Sequence, residues 1–418
     1  MRAEVINLGL ATAGTATGPD IVMALSGYLA SLGLELGSIT CVGEQEREVE
    51  DAVGQAIKRS HLVIITGGRP QGQYPAYVSG REELAKKAVA KLLGLRLILQ
   101  ADLLASIKET YKARGVEMPA GLEKKALLPK GARAVVDPQG PPSGFYLAHG
   151  GRYVLYTSRL SRDVEAAIPP EIAAALSANI RAGVRKKGRV LRTYGLDESM
   201  VAETVKDVAG AETSIALYSS AKGVDISVSV RAETAEKAEE LLADISLEAA
   251  RRLGDYIYGA GTETMEEEVA RLLIEKKLTI ATAESCTGGL IAKRLTDVPG
   301  SSAYMERGVV TYSNLAKEEL LGIPARTIEE HGAVSKETAE AMAEGIRWNA
   351  KTSIGLSVTG IAGPTGGTMT KPVGLVYIGM ATKDGVAVKG YNFPGDRDAV
   401  RFASSQRALD IVRRYLIS

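Results

Sequence analysis

Short apolar runs alternate with helix-like segments in two separate parts of the chain. In the first part, the helical pattern REVEDAVGQAIKRS leads into the apolar run HLVIITGG, and in the second the run LTIATAE leads into the helix-like TGGLIAKRLTD. A continuous apolar run of this length is typical of a strand that is buried on both faces. Alternation of such strands with helices predicts an α/β fold in both parts, doubly wound in the first.

The chain length and a change of pattern predict three domains. The chain has 418 residues, more than the about 100 to 200 residues of an ordinary domain. Pro169 and Pro170 interrupt the first α/β part, and the later stretch TSIALYSSAKGVDISVSVRA predicts two strands between helices. We therefore predict a doubly wound α/β domain over residues 1–168, a small α+β module over 169–258 and an α/β domain over 259–418.

The charge balance gives no reason to expect a nucleic-acid partner. Lys and Arg together number 51, against 50 Asp and Glu. Between Asp197 and Asp255, thirteen acidic residues outnumber six basic ones, whereas binding to phosphates needs the opposite sign. We therefore do not expect direct nucleic-acid binding.

Cysteine content and hydropathy predict a soluble cytoplasmic protein. Cys41 and Cys286 are the only cysteines and lie in different predicted domains, which argues against a disulfide framework. No apolar run approaches the roughly 18 residues of a membrane span, and the N-terminal MRAEVINLG lacks the features of a signal peptide. None of the three histidines has a second His or Cys at metal-ligand spacing, so we expect no structural zinc.

Ser285 lies between an apolar run and a pair of glycines, in the stretch TIATAESCTGGLIAKRL. A helix is expected to begin at these glycines, and the amides of Thr287, Gly288 and Gly289 could then bind an oxyanion or a phosphate. The alternative is that Ser285 or Thr287 only caps the helix, since both residue types are common caps. The stretch alone leaves both interpretations open.

A lysine in a second stretch, GVVTYSNLAKEELLG, is a candidate base for Ser285. Asn314 is expected to cap a helix that Gly322 ends, which places Lys317 in the first turn. There the helix dipole disfavours a cation, and in a cleft the loss of solvent would lower the pKa of the lysine and yield a neutral amine. Ser285 and Lys317 could then form a nucleophile pair, with Tyr312 as a relay or an orienting group. The alternative is an exposed surface lysine.

Two further stretches are candidates for substrate binding. The glycine-rich SVTGIAGPTGGTMTKPVG joins two predicted strands and matches neither a Walker A loop nor a dinucleotide fingerprint. Its place at the carboxyl edge of an α/β sheet favours a substrate loop over a plain hairpin connection. Arg397 begins the last predicted helix, where it can bind a carboxylate or phosphate, or form a surface ion pair with Asp396 or Asp398.

Six ordered motifs make the C-terminal part resemble the CinA family of competence- and damage-inducible proteins. They are AESCTGG, TYSNLAK, EHGAVS, TGIAGPTGG, KPVGLVY and FPGDRDAVR. The same domain occurs alone as nicotinamide-nucleotide amidohydrolase, so the resemblance implies hydrolysis of nicotinamide mononucleotide to nicotinic acid mononucleotide and ammonia in pyridine-nucleotide salvage. It also implies a molybdopterin-binding-like N-terminal domain and a KH-like middle module.

The resemblance assigns roles to individual residues. It implies Ser285 as the nucleophile, Lys317 as its base and Tyr312 as an assistant. The implied substrate-binding residues are Asn314 of TYSNLAK, Thr359, Gly360 and Gly363 of the TGIAG loop, and Arg397 of FPGDRDAVR, beside the turn Thr287, Gly288 and Gly289. The implied amidase chemistry needs no cofactor and no metal.

The N-terminal domain departs from the pattern that accompanies metal-dependent ADP-ribose hydrolysis in the family. Residues 9–11 are GLA where the family has G-T-E, and residues 66–71 are TGGRPQ where it has T-G-G-L-G-P. The only charged residue between Thr66 and Gly80 is Arg69, which would repel a divalent cation. We expect this domain to keep its fold without holding the metal and without hydrolysing ADP-ribose.

The combined prediction is a cytoplasmic, homodimeric Ser-Lys amidohydrolase acting on nicotinamide mononucleotide. One alternative is a bifunctional enzyme that also hydrolyses ADP-ribose, which the missing metal ligands disfavour. Another is a non-catalytic binding protein associated with competence or DNA repair.

Overall fold

The structure is a computed structural model, and it describes residues 1–9, 19–67, 80–137, 140–158, 160, 164–178, 185–210 and 212–418. Within these residues the chain forms two compact units. One comprises Met1–Arg189 with Ser229–Asp244, and the other Val190–Val228 with Ile245–Ser418.

Strands and helices alternate in the N-terminal part. In chain order they are β1 (Arg2–Leu8), α1 (Pro19–Ser31), β2 (Glu35–Val42), α2 (Glu46–Arg59), β3 (Leu62–Thr66), α3 (Gly80–Leu92), β4 (Leu97–Leu99), α4 (Ala101–Ala113), β5 (Leu127–Pro129), β6 (Arg133–Asp137), β7 (Gly140–His149), β8 (Arg152–Thr157), α5 (Val164–Ala167) and α6 (Pro170–Ala178).

Helices cover both faces of the six-stranded N-terminal sheet. Its order is β2-β1-β3-β8-β7-β6, with parallel pairing from β2 to β8 and antiparallel pairing beyond. On one face Ile65 packs with residues of α2 and α3, and on the other Ile64 packs with residues of α1 and α6. All five residues of β3 are buried, as its continuous apolar run predicts. The doubly wound α/β prediction is therefore confirmed.

The middle module contains four strands and two helices in its described residues. They are β9 (Arg185–Thr193), α7 (Glu198–Val205), β10 (Thr213–Ser220), β11 (Gly223–Ala232), α8 (Ala235–Leu253) and β12 (Ile257–Ala260). The sheet order is β10-β11-β9-β12. The hairpin and both helices match the sequence prediction, whereas β9 and β12 were not predicted.

Basic residues next to the predicted acidic stretch offset part of its charge. Lys187 and Arg189 of β9 pair with Glu239 at 2.6 and 2.9 Å. The acidic excess counted from Asp197 onward therefore overstates the negative charge of the module as it folds.

The C-terminal part again alternates strands and helices. They are α9 (Met265–Lys276), β13 (Ile280–Glu284), α10 (Leu290–Thr296), β14 (Met305–Val310), α11 (Asn314–Leu321), α12 (Ala325–His331), α13 (Lys336–Ala350), β15 (Ile354–Gly360), β16 (Leu375–Thr382), β17 (Gly385–Asn392) and α14 (Arg397–Ile417).

The C-terminal sheet has the order β14-β13-β15-β16-β17 and is covered on both faces. Strand β13 pairs parallel with β14 and β15, while β16 and β17 complete the sheet in antiparallel fashion. Ala281 and Ala283 of β13 face Met342 of α13, and Ile280 joins a core that includes residues of α9 and α14. The carboxyl ends of the parallel strands β13, β14 and β15 thus open at one edge of the sheet.

A buried arginine of α14 connects the C-terminal sheet domain to the end of the middle module. Arg413 is 1% exposed and pairs with Asp410 at 2.7 Å. It also donates hydrogen bonds to the carbonyl oxygens of Asp255 at 2.6 Å and Ile257 at 3.3 Å. Strand β12 itself continues across the domain boundary predicted at residue 258 and pairs with β9.

None of the helices in the described ranges combines the length and apolar character that a membrane span requires.

Candidate active site

Ser285 and Lys317 meet at the carboxyl edge of the C-terminal sheet. Ser285 directly follows β13, and Lys317 lies in the first turn of α11, which follows β14. Because β13 and β14 are parallel neighbours, with Glu284 opposite Val310, the segments after them emerge side by side. Lys317 Nζ lies 3.4 Å from Ser285 Oγ, and the two residues are 1% and 9% exposed. The structure therefore places the predicted nucleophile and base in contact.

The turn after Ser285 depends on two glycines in the left-handed region. Gly288 has φ +61° and Gly289 φ +90°, values that residues with a Cβ adopt only under strain. The Gly288 amide donates to the Ser285 carbonyl at 3.1 Å, and the Ser285 amide donates to the Val358 carbonyl at 2.9 Å. Of the three amides predicted to bind an oxyanion, that of Gly288 is thus already engaged, and those of Thr287 and Gly289 are the remaining candidates.

Helix α10 is capped by a residue that the sequence analysis did not single out. Its N-cap position is Gly289, which makes no side-chain hydrogen bond. The Glu284 carboxylate instead accepts hydrogen bonds from the amides of Ile291 and Ala292, at 3.1 and 2.8 Å. The alternative that Ser285 or Thr287 serves as the helix cap is therefore wrong.

Arg401 binds the same turn from α14. Its guanidinium donates to the Thr287 carbonyl through Nη2 at 2.8 Å and Nε at 3.3 Å. The Thr287 hydroxyl is buried and has no hydrogen-bond partner among the described residues.

The cap of α11 differs from the prediction by one residue. Ser313, not Asn314, occupies the N-cap position, and its hydroxyl accepts a hydrogen bond from the Ala316 amide at 3.1 Å. Asn314 is the first residue of the helix and is exposed. Gly322 ends the helix with φ +68°, as predicted.

Lys317 is buried among backbone carbonyls. Its Nζ donates to the carbonyl oxygens of Thr311 at 2.8 Å and Tyr312 at 3.3 Å. It forms no salt bridge with an Asp or Glu of the described residues. Burial lowers the pKa of Lys317 below that of a free lysine, because the charged form loses its water without gaining a carboxylate. The surface-lysine alternative is wrong.

Tyr312 and Arg397 form a second cluster with Gly363. Arg397 donates to the Tyr312 hydroxyl through Nη2 at 3.1 Å and to the Gly363 carbonyl through Nη1 at 2.9 Å. The alternative ion pairs do not form, since Asp396 caps α14 and Asp398 lies 3.8 Å from Arg401. Tyr312 is 62% exposed, and its contact with Lys317 is through its backbone carbonyl.

The glycine-rich loop connects the antiparallel strands β15 and β16 and is fixed to the segment EHGAVS. The Thr359 hydroxyl donates to the Ala333 carbonyl at 2.6 Å, and Lys371 Nζ donates to the carbonyls of His331 and Val334 at 2.9 and 2.8 Å. A Cβ at Gly360 would lie 2.6 Å from a Val376 methyl group, so close packing alone is a reason for glycine at this position.

Cys286 lies next to the predicted nucleophile and is not activated. Burial raises the pKa of its thiol to about 12, which keeps it protonated at neutral pH.

Among the residues that the structure describes, no group of three or more His, Cys, Asp or Glu side chains could hold a metal ion. Residues 10, 11 and 68–71, including Arg69, on which the N-terminal prediction depends, lie outside the described residues.

Comparison with known proteins gives two family matches. The model described as CinA C-terminal domain matches residues 262–416, and that described as Damage-inducible protein CinA KH domain matches residues 188–259. The second match confirms the KH-like character of the middle module.

Two related sequences match over most of the chain, and one solved structure matches over part of it. A putative competence-damage inducible protein from Caldicellulosiruptor bescii is 39% identical over 395 residues, 94% of either chain. A CinA-like protein from Kosmotoga olearia is 38% identical over 419 residues, covering 100% of this chain and 99% of the relative. The crystal structure of competence/damage inducible protein CihA from Agrobacterium tumefaciens covers 37% of this chain and 98% of its own, with 41% identity and a TM-score of 0.36. The full-length similarity and the two family matches agree with the six motifs, and the chain belongs to the CinA family.

Proposed function

We propose that this protein hydrolyses the carboxamide of nicotinamide mononucleotide to nicotinic acid mononucleotide and ammonia, with Ser285 as nucleophile and Lys317 as base. One observation carries the proposal: Lys317 Nζ lies 3.4 Å from Ser285 Oγ, and both side chains are buried. A neutral amine in contact with a hydroxyl can activate it for acyl transfer. Membership of the CinA family is consistent with an amidohydrolase.

The surroundings of Lys317 favour its neutral amine form, which is the form that can act as a base. A neutral amine has two N–H groups and one lone pair. The carbonyls of Thr311 and Tyr312 can accept the two N–H groups, which directs the lone pair to the Ser285 hydroxyl. The separation of 3.4 Å is long for a hydrogen bond, and catalytic contacts of this kind tighten when substrate binds.

The reaction proceeds in two acyl-transfer steps. Lys317 takes the hydroxyl proton while Ser285 Oγ bonds to the carboxamide carbon, and the carbonyl oxygen becomes an oxyanion that the amides of Thr287 and Gly289 can stabilise. Lys317 then gives the proton to the departing nitrogen, the C–N bond breaks and ammonia leaves. A water molecule, deprotonated by Lys317, attacks the acyl-enzyme, and Ser285 recovers its proton. This chemistry needs no cofactor.

The cluster around Arg397 is the candidate for holding the rest of the substrate. Arg397 links Tyr312 to Gly363 of the glycine-rich loop, so one guanidinium connects the segment after β14 to the loop after β15. A planar cation at the mouth of the site suits an anionic mononucleotide. Asn314 begins α11 in the segment after β14, and Thr359 and Gly360 are the last two residues of β15, directly before the glycine-rich loop.

The direct test is ammonia release from nicotinamide mononucleotide by the purified full-length protein. Ser285→Ala protein purified in parallel serves as the matched control for a contaminating amidase. We expect release by the wild type alone, unaffected by a chelator. Equal rates in the two proteins, or loss of activity in the chelator that a divalent ion restores, would contradict the proposal.

A further inference from the structure

Glu284 is a buried carboxylate that holds the two ends of the Ser285 turn together. It is the last residue of β13 and is 1% exposed. Its Oε2 accepts a hydrogen bond from Ile291 and its Oε1 one from Ala292, the second and third residues of α10. The side chain thus connects the strand before the turn to the helix after it, and Ser285 lies inside the closed segment.

No cation neutralises this carboxylate among the described residues, since its partners are backbone amides. Burying an unpaired charge is costly, and two amide donors at a helix N-terminus are among the few uncharged groups that offset that cost. A neutral cap such as serine would satisfy one amide only. Each oxygen of the Glu284 carboxylate thus has one backbone amide of α10 as its partner.

Few other contacts fix the conformation of the turn, so the turn depends on the link that Glu284 makes between β13 and α10. The Ser285 amide is held by Val358 at 2.9 Å, but the following residues Gly288 and Gly289 have left-handed backbone and little intrinsic preference for one conformation. Arg401 fixes the Thr287 carbonyl from outside the turn. Without the Glu284 carboxylate, the far end of the turn would lose its two side-chain hydrogen bonds to β13.

We infer that Glu284 is a positioning residue for the reaction: by capping α10 it fixes the turn that keeps Ser285 Oγ beside Lys317 and directs the Thr287 and Gly289 amides. The inference rests on the proposed function of Ser285. It assigns Glu284 no contact with the substrate. Loss of the carboxylate should therefore reduce the rate of acylation more than it weakens substrate binding.

The variant Glu284→Gln tests this, because glutamine offers one acceptor oxygen where the carboxylate offers two. We expect kcat to fall about 100-fold, the effect of a misplaced nucleophile, with KM changed less than about threefold. The midpoint of the pH–rate limb should stay unchanged, since Lys317 is intact. Amide hydrogen exchange in residues 284–296 should accelerate. If Glu284→Gln does not fold, Glu284→Asp keeps the charge but is one methylene shorter, and we expect an intermediate loss of kcat.

Glu266→Gln is the matched control. Glu266 pairs with Arg294 of α10 at 2.7 Å, so its loss weakens the anchoring of the same helix without touching the turn. We expect this variant to lose thermal stability while keeping kcat. If both variants lose Tm and keep kcat, Glu284 is only a structural cap and the inference is wrong.

A substrate-independent readout separates this inference from the proposed function. The rate at which a fluorophosphonate probe labels Ser285 reports the reactivity of the nucleophile whatever the natural substrate is. Slow labelling of Glu284→Gln beside fast labelling of wild type and Glu266→Gln supports the inference, even if nicotinamide mononucleotide proves not to be the substrate. Equal labelling of all three proteins would overturn it.

Discussion

Arg397 Nη2 donates a hydrogen bond to Tyr312 Oη across 3.1 Å, between the start of the last helix and the segment after β14. The Tyr312 hydroxyl therefore faces a fixed cation, while the backbone of the same residue contacts Lys317. We therefore predict that the Tyr312 hydroxyl acts mainly together with Arg397 and less with Lys317.

Tyr312→Phe should lower kcat/KM about tenfold, the equivalent of one net hydrogen bond, and leave the pH–rate limb in place. Steady-state kinetics between pH 6 and about pH 10 would check this, with Tyr218→Phe as an exposed tyrosine control. Disappearance of the limb in Tyr312→Phe would instead make the hydroxyl part of the proton relay.

Ser285→Ala should abolish ammonia release, and Cys286→Ala should keep most of it. The reason is that Ser285 contacts Lys317, whereas the Cys286 thiol has its pKa raised to about 12 by burial. Single-turnover ammonia assays on both variants provide the measurement. An inactive Cys286→Ala protein that is folded would show that the nucleophile is misassigned.

Lys317→Arg should remove the pH dependence of kcat/KM together with most of the rate. Since burial lowers the pKa of Lys317, wild-type kcat/KM should rise with pH along a limb whose midpoint lies below the value of about 10.4 for a free lysine. Arginine stays charged and cannot act as the base. A Lys317→Arg enzyme with the wild-type rate and profile would exclude the base role.

Lys317→Met should raise thermal stability at pH 7 while removing activity. With the pKa lowered in the folded state, the unfolded chain binds more protons between the two pKa values, so stability rises with pH across that window. A neutral methionine avoids this penalty, and its advantage should shrink as pH approaches about 10. Melting temperatures of both proteins from pH 6 upward would check the sign, and a lower Tm of the variant at pH 7 would contradict it.

The full-length protein should not form AMP from ADP-ribose with any common divalent metal. The stretch from Thr66 to Gly80 contains Arg69 as its only charge and no carboxylate to hold the cation. Amidase activity of the same preparation serves as the control for folded protein. Metal-dependent AMP formation that survives repurification would reinstate the bifunctional alternative.

Regular elements with strong local signals are the ones that the sequence predicts well. Helix α13 coincides with the helical pattern of the stretch KETAEAMAEGIRWNA, because Ser335 caps the helix and Lys351 ends it in the left-handed region. Strand β17 was not predicted, because most of its residues at the sheet edge are exposed and give no buried apolar run. The N-cap residue of a helix is hard to predict when two adjacent residues have similar capping preference. Ser313 and Asn314 are both good caps, and the path of the chain from β14 decides between them.

The pairing of Ser285 with Lys317 was predictable from their places after two strands, but the role of Glu284 was not. In the sequence Glu284 is an acidic residue that ends an apolar run. Its function as a cap depends on α10 turning back over β13, a relationship of tertiary structure.

The hydrogen bonds that Arg413 donates to two backbone carbonyls limit how independent the C-terminal domain is of the residues before it. The guanidinium of this buried residue belongs to the last helix of the C-terminal domain, but two of its acceptors, the carbonyls of Asp255 and Ile257, precede the predicted start of that domain in the chain. Cutting the protein at the predicted boundary would strip those acceptors from a buried cation and divide β12. A C-terminal fragment excised at that boundary should therefore be less stable than the same residues in the intact chain, unless Arg413 is replaced by a residue that does not need those acceptors.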